Sequence, residues 1–360
     1  MMKKLITAII LTLAAPCMAQ NVLGSFFSNS NEGIAYFLPD TKINITVETS
    51  CVTQTPGEFY SYAERFLHIK NTIAEASNRW EITGIECESE GVPSKNKYYT
   101  IKFGNNAASS IGLDGKGIIE TINTTAPAKA ETAPVTKRST NTKTDASQYM
   151  TEEMLTATST AKMAELTAKE IYAIRESKLA ITRGQAENMP SDGTAIALLL
   201  QELDKQEKAL TELFTGRTDT VYHTYSYHIA PEEMRDTTKA VLFRFSHKLG
   251  VVDKENLVGE PIYYSLKNLK TVEIPAVAET EKKKTKKEKA PKQPEGILYN
   301  IPGRAKMEIY SRTTTFLDKE IVIAQFGITE VLAKSLFGKD NTVKVLFDTA
   351  TGGIISIKKD

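Results

Sequence analysis

A chain of 360 residues, 41% hydrophobic and 25% charged, has the apolar content for sizeable cores, which excludes wholesale disorder. Forty-five basic against 44 acidic side chains leave a formal charge of +1, with no global attraction for nucleic acid or anionic lipid. The length suits two or three domains, or one β domain carrying an insertion.

Residues 1–19 read as a signal peptide. Lys3 and Lys4 form a basic start, and residues 5–15 are an apolar run too short to span a bilayer comfortably. Cys17-Met18-Ala19 offers the small residues at which a signal peptidase cuts. Lipid anchoring at Cys17 is disfavoured by Pro16, since lipidation signals place a small residue before the cysteine. Cleavage after Ala19 removes Lys3 and Lys4 and takes the formal charge from +1 to −1. No long apolar run follows, so no membrane span is expected, and the location is the periplasm or cell surface. Cys51 and Cys87 remain, both in β-like sequence of the first domain. An oxidising compartment permits a bridge, and the expectation is a Cys51–Cys87 disulfide over two separate buried thiols.

The first domain, 20–122, reads as β-rich with one short helix. Residues 34–38 form a short strand, Pro39-Asp40 a turn and 41–52 a second strand. There Ile43, Ile45 and Val47 alternate with Asn44, Thr46 and Glu48, so one face is buried and the other wet. After Pro56-Gly57, residues 58–67 start a helix whose Phe59, Tyr62 and Phe66 share a face, an aromatic stripe gluing it to a sheet. Residues 80–86, 98–103 and 111–121 supply further strands, the last around the turn Leu113-Asp114-Gly115. Residues 123–148 are rich in Thr, Ala, Pro, Lys and Ser. They offer nothing to offset the entropy of ordering, and read as a linker or long loop.

Residues 149–215 change the period from two to 3.6. Thr151 can cap a first helix carrying Met163, Leu166, Ile171, Ile174 and Leu179 on one stripe. Asn188-Met189-Pro190 breaks the pattern, and Asp192 or Ser191 can cap a second helix carrying Ile196, Leu199, Leu200, Leu203, Leu210 and Phe214. A short connection implies an antiparallel hairpin, of coiled-coil character, whose stripe needs a further surface. Residues 216–278 return to β patterns. In 221–229, Val221, His223, Tyr225 and Tyr227 share one side, and 239–247 alternates strongly. Residues 279–294 hold the lysine run EKKKTKKEK, read as a solvated loop. No aromatic side chain stands inside it to stack bases, so no specific nucleic-acid partner is expected. Residues 295–360 are β-rich, end in a hairpin at 347–354, and are expected to pack with 216–278.

Catalytic signatures are few. His68, His223, His228 and His247 are the only histidines; His223 and His228 fall on opposite faces of one strand, and no HExxH occurs, so no metal or other cofactor is expected. Neither Ser226 with His228 nor Ser246 with His247 makes a hydrogen-bonded dyad in a strand. Tyr222, Tyr225 and Tyr227 form a candidate platform for stacking a glycan, against a plainer reading as cross-strand packing. Paired carboxylates for sugar hydrolysis are defined in space and leave no trace in sequence.

The stretches PGEFYSYAERFL (56–67), LDGKGIIETIN (113–123), the helical run 161–217, VLFRFSHKLG (241–250), GEPIYY (259–264), EGILYNIPGRAKMEI (295–309), IVIAQFGITEVLAKSLF (321–337) and FDTATGGIISI (347–357) carry a resemblance. The chain resembles the family catalogued as domain of unknown function 4831, found mainly in Bacteroides and relatives. That resemblance implies an exported protein and implies no activity, since the family brings no catalytic residues with it. The same lineage attaches O-glycans at Asp followed by Ser or Thr and a small or aliphatic residue. By resemblance to that signal Thr220, Thr237 and Thr349 are candidate acceptors. The reading is an α+β protein, largely antiparallel β-structure with an inserted helical hairpin. It is expected to act as a non-enzymatic structural or protein-binding module of the envelope, contacting another envelope protein or a second copy. The alternative is a glycan-binding or glycan-active envelope protein.

Overall fold

The computed structural model describes residues 34–101, 110–127, 145–186, 192–273, 296–337 and 343–359. The expected signal peptide, most of the 123–148 segment and the lysine run at 279–294 lie outside the described residues. The fold is α+β, and its named strands pair antiparallel in three sheets. The first sheet has the order β2-β1-β5, from β1 (Ile34–Thr55), β2 (Ser77–Ile101) and β5 (Arg217–Ile229). The second runs β10-β9-β8-β6-β7. It comprises β6 (Thr237–Ser246), β7 (Gly250–Val252), β8 (Glu260–Asn268), β9 (Gly296–Tyr310) and β10 (Thr315–Ala333). The third runs β12-β11-β4-β3, from β3 (Ile111–Leu113), β4 (Ile119–Ile122), β11 (Val343–Phe347) and β12 (Ile354–Lys359). Four helices stand between strands: α1 (Ala63–Leu67), α2 (Glu152–Leu155), α3 (Thr160–Thr182) and α4 (Gly193–Thr215).

The period-two pattern of β1 does what it predicts. Ile43, Ile45 and Val47 are fully buried, and they meet Phe243, Ile262, Met307 and Ile323 of the second sheet in one core. The N-terminal part of the same strand works elsewhere. Tyr36 and Leu38 pack with Ile119, Ile122, Val345 and Phe347 of the third sheet. A third core is helical, with Phe59, Ala63 and Leu67 set against Ala164, Ala168, Ile171, Leu210 and Phe214. The aromatic stripe of 58–67 therefore docks on helices, where the sequence points to a sheet. Phe59 lies 5.3 Å from Phe214, ring to ring, and its N–H donates to the carbonyl of Leu213 at 2.7 Å.

One turn expected from the sequence, Pro39-Asp40, is absent. Pro39 does not end a strand. The chain runs through it as a bulge, with Pro39 opposite Pro93 and the register shifted between Phe37 and Pro39. A proline has no N–H to give a ladder, and a bulge is where a strand tolerates that. On the partner side, the strands expected at 80–86 and 98–103 are joined through Pro93 into a single 25-residue strand, Ser77–Ile101. A second bulge, between Glu48 and Thr49, leaves Thr83 without a partner on β1. That lets Ile82 and Ile85, three residues apart, both face the second sheet.

Where the three sheets meet, buried polar groups are satisfied by one another. The Gln325 amide acts as a strand segment: Thr41 N–H donates to Oε1 and Nε2 donates to the Thr41 carbonyl, each at 2.9 Å. Thr41 Oγ1 donates to the Ala350 carbonyl and accepts from Ala324 N–H, both at 3.0 Å. Asn300, almost fully buried, donates to the carbonyls of Pro39 and Thr351. Gly91 is required here, because a Cβ would lie 1.9 Å from the carbonyl oxygen of Thr349.

Candidate functional site

Among the described residues, the helical pair is well buried at its root and more exposed toward its far end. Ser159 caps α3 by accepting from Lys162 N–H, and Asp192 caps α4 by accepting from Thr194 N–H. Gly216 ends α4 at φ +78, where a Cβ would stand 2.6 Å from the Thr55 carbonyl oxygen; glycine alone lets the chain turn directly into β5 beside β1. Ion pairs join the helices with opposite sense. Arg175 Nε sits 2.6 Å from Glu207, while Lys178 Nζ bridges Glu207 at 2.9 Å and Asp204. Burial pushes the Glu207 carboxyl up, but hydrogen bonds from Arg175 and Lys178 outweigh it and the net shift is down. Asp204 and then Glu207 raise Lys178.

Beyond this network the apolar surface is partly covered, with Ile181 buried and Ile196 and Leu200 half-buried. Toward the root, Ala209, Leu210 and Phe214 are buried, whereas Leu179 is 49% exposed, Leu198 66% and Leu199 40%. Tyr172, also exposed, is tied back by its hydroxyl to the Phe66 carbonyl at 3.1 Å. No helix among the described residues is long and apolar enough to cross a membrane.

The three tyrosines of β5 fall on two faces. Tyr225 and Tyr227 pack on the core between the first two sheets, and Tyr227 stacks on Phe243 with ring centroids 5.2 Å apart. Burial pushes the Tyr227 hydroxyl up to about 12. Tyr222 stands at an even position of the strand, on the opposite face, and is exposed.

The expected disulfide does not form: Cys51 and Cys87 are both buried free thiols. Both point to the core side of the first sheet, but Cys87 stands opposite Ile45 and Cys51 opposite Trp80. Six residues of strand separate them, about 20 Å at ~3.3 Å per residue, and a bridge needs Cα atoms within about 7 Å. Cys51 donates to Asn78 Oδ1 at 2.8 Å, and burial pushes the Cys87 thiol up.

The candidate glycan acceptors are scattered. Thr220 lies within β5 opposite Val52, Thr237 opens β6 opposite Leu266, and Thr349 occupies the turn between β11 and β12; all three are half-buried. In that turn Asp348 accepts from Ala350 N–H and from Thr351 Oγ1. Among the described residues no three His, Cys, Asp or Glu side chains converge as metal ligands. One pair of carboxylates that the sequence could not pair, Glu81 and Glu260, borders a common cleft between the first two sheets. These residues are 179 positions apart by number, and no local pattern joins them.

No curated protein and no solved structure matches the chain. The family described as Domain of unknown function (DUF4831) matches residues 32–355, which include β1 to β11, α1 to α4 and the start of β12. With most of its length inside that match, the chain belongs to the DUF4831 family.

Proposed function

We propose that the protein is an exported, non-enzymatic binding module of the cell envelope. The three-sheet body serves as a scaffold, and α3 and α4 act as a hairpin inserted into it that presents its outer end to another envelope protein. The observation that carries this is the contrast along α4: Leu210 is fully buried, while Leu198 and Leu199 expose apolar surface on a helix anchored at its other end. Two or more large aliphatic side chains on a rigid helix face are the anchors that helix-in-groove recognition uses. Tyr225 and Tyr227 are taken up by packing between sheets, so the helices and not β5 carry the proposal.

A photo-crosslinking residue at position 198, introduced in the native envelope, tests it. The expected result is one discrete adduct between the chain and a different protein, abolished by Leu179→Glu with Leu199→Glu while the melting temperature stays within a few degrees. An adduct of twice the chain mass would replace the foreign partner with a second copy. No adduct, or one that the charged variant leaves intact, overturns the proposal.

A further inference from the structure

The cleft between the first two sheets has about 300 Å³ of space, at the lower end of what small-molecule sites offer. Its floor is apolar, from Ile82 on β2, Phe245 on β6, Ile262 on β8 and Phe316 on β10. Its rim is polar, and most of the rim groups are held by bonds within the fold. His247 Nδ1 lies 3.0 Å from the Trp80 carbonyl, while Trp80 N–H donates to the His247 carbonyl at 2.8 Å. A carbonyl can only accept, so Nδ1 carries the hydrogen of that bond and Nε2 is the acceptor in the neutral ring. Gly250, at φ +76, leaves room for the Trp80 ring, which a Cβ would approach to 2.7 Å. Across the cleft, Ser311 Oγ accepts from the N–H groups of Thr313 and Thr314 at 3.2 and 3.0 Å, which fixes the β9–β10 turn and both threonine hydroxyls. Glu81 is held by Arg79 at 3.0 Å. The Glu260 side chain is exposed and has no hydrogen bond or ion pair among the described residues.

The rim thus offers two carboxylates, one imidazole acceptor and hydroxyls over a floor of two aromatic and two aliphatic side chains. The complementary ligand carries several hydrogen-bond donors around its edge and one apolar face. We infer that this cleft is a binding site for a single hydroxylated ring, the terminal sugar unit of a glycan. Glu260 and Glu81 accept from ring hydroxyls or a ring amine, and the carbon-bearing face of the ring rests on Phe245 and Phe316. This inference is independent of the helical contact surface, whose residues do not line the cleft.

Trp80 is the only tryptophan of the chain, and the two residues that follow it line the cleft. Its emission therefore reports occupancy. The mature chain is titrated with D-glucose, D-galactose, D-mannose and their 2-amino forms, up to about ten times a Kd of ~1 mM. At least one sugar is expected to give a saturable change. Glu260→Gln is expected to weaken it by about tenfold or more, the loss of one charge-assisted hydrogen bond, with Thr313→Val weakening it less. The Glu260 side chain has no partner among the described residues, so the ligand-free melting temperature of Glu260→Gln should equal that of the wild type. A stronger response to the 2-amino form marks an amine at Glu260, and equal responses mark hydroxyl recognition; both support the site. No saturation with any of the six sugars overturns the inference, as does a response that both variants leave unchanged. Saturation by n-butylamine and by no sugar also overturns it and assigns the cleft to a simple cation. Leu199→Glu should bind sugar normally, so failure of the helical proposal and failure of this one are separable.

Discussion

At the scale of single residues, the outer face of the first sheet carries a polar row across three strands. His228 Nδ1 and Asn44 Oδ1 are 2.8 Å apart, Asn44 Nδ2 donates to Glu90 at 2.9 Å, and Lys116 reaches the same carboxylate from the β3–β4 turn. Hydrogen bonds from Lys116 and Asn44 hold the Glu90 carboxyl down at about 2. A carboxyl depressed in the folded state stabilises above its ordinary value of 4.5, and that stabilisation fades as pH falls from 4.5 toward 2. The side chain is 39% exposed, so solvent screening limits the contribution to about 1 kcal/mol. Thermal melts of Glu90→Gln should show a small deficit at pH 7 that closes by pH 2. The thiols give a second expectation. Without reductant, the denatured mature chain should alkylate at both Cys51 and Cys87, and dithiothreitol should leave the melting temperature unchanged; a 51–87 linked peptide in mass mapping would refute this. The low legibility of this pairing has a plain cause, because strand sequence shows which face a cysteine takes and not how far along the ladder its neighbour lies.

At the scale of elements, strand faces were legible, helix starts in part, and strand lengths were not. Asp192 caps α4 where its residue type indicates, accepting from Thr194 N–H, whereas Thr151 caps only the four-residue α2, and the helix carrying Met163 starts at Thr160 with Ser159 as its cap. Ile43, Ile45 and Val47 face the core as their spacing requires. What could not be read is the continuity of β1 and β2 through Pro39 and Pro93, because local sequence registers a missing N–H but not the distant groups that compensate for it. Asn300, 261 residues on, donates to the Pro39 carbonyl, and Gln325 completes the pairing of Thr41. The cleft was illegible for the same reason, since its walls come from four strands and a turn that share no motif. Gln325→Leu tests the junction. It would strand the Thr41 N–H and carbonyl in the interior, each at ~1–3 kcal/mol. The chemical-denaturation midpoint should fall by the equivalent of about 2–5 kcal/mol with an unchanged m value. A variant within about 0.5 kcal/mol of wild type would show that water replaces the amide there.

At the scale of the whole molecule, local hairpins such as β9–β10 and β11–β12 are joined by pairings between distant parts of the chain. β1 pairs with β2 nearby, but also with β5, and its side chains complete one core with the second sheet and another with the third. Thr41 meets Ala324, Gln325 and Ala350, up to 309 residues away. Topologies of such long-range contact fold slowly, because loop closure precedes the contacts that reward it. A chain ending at residue 295 lacks β9 to β12. It should therefore be cleaved by protease throughout 34–101, whereas the intact chain resists there; equal resistance would show that the first sheet stands alone. The bulge at Pro39 then has a meaning in time as well as in space. The carbonyl of Pro39 and the polar groups of Thr41 take their partners from residues 300–350, so this junction can close only after those residues have been made.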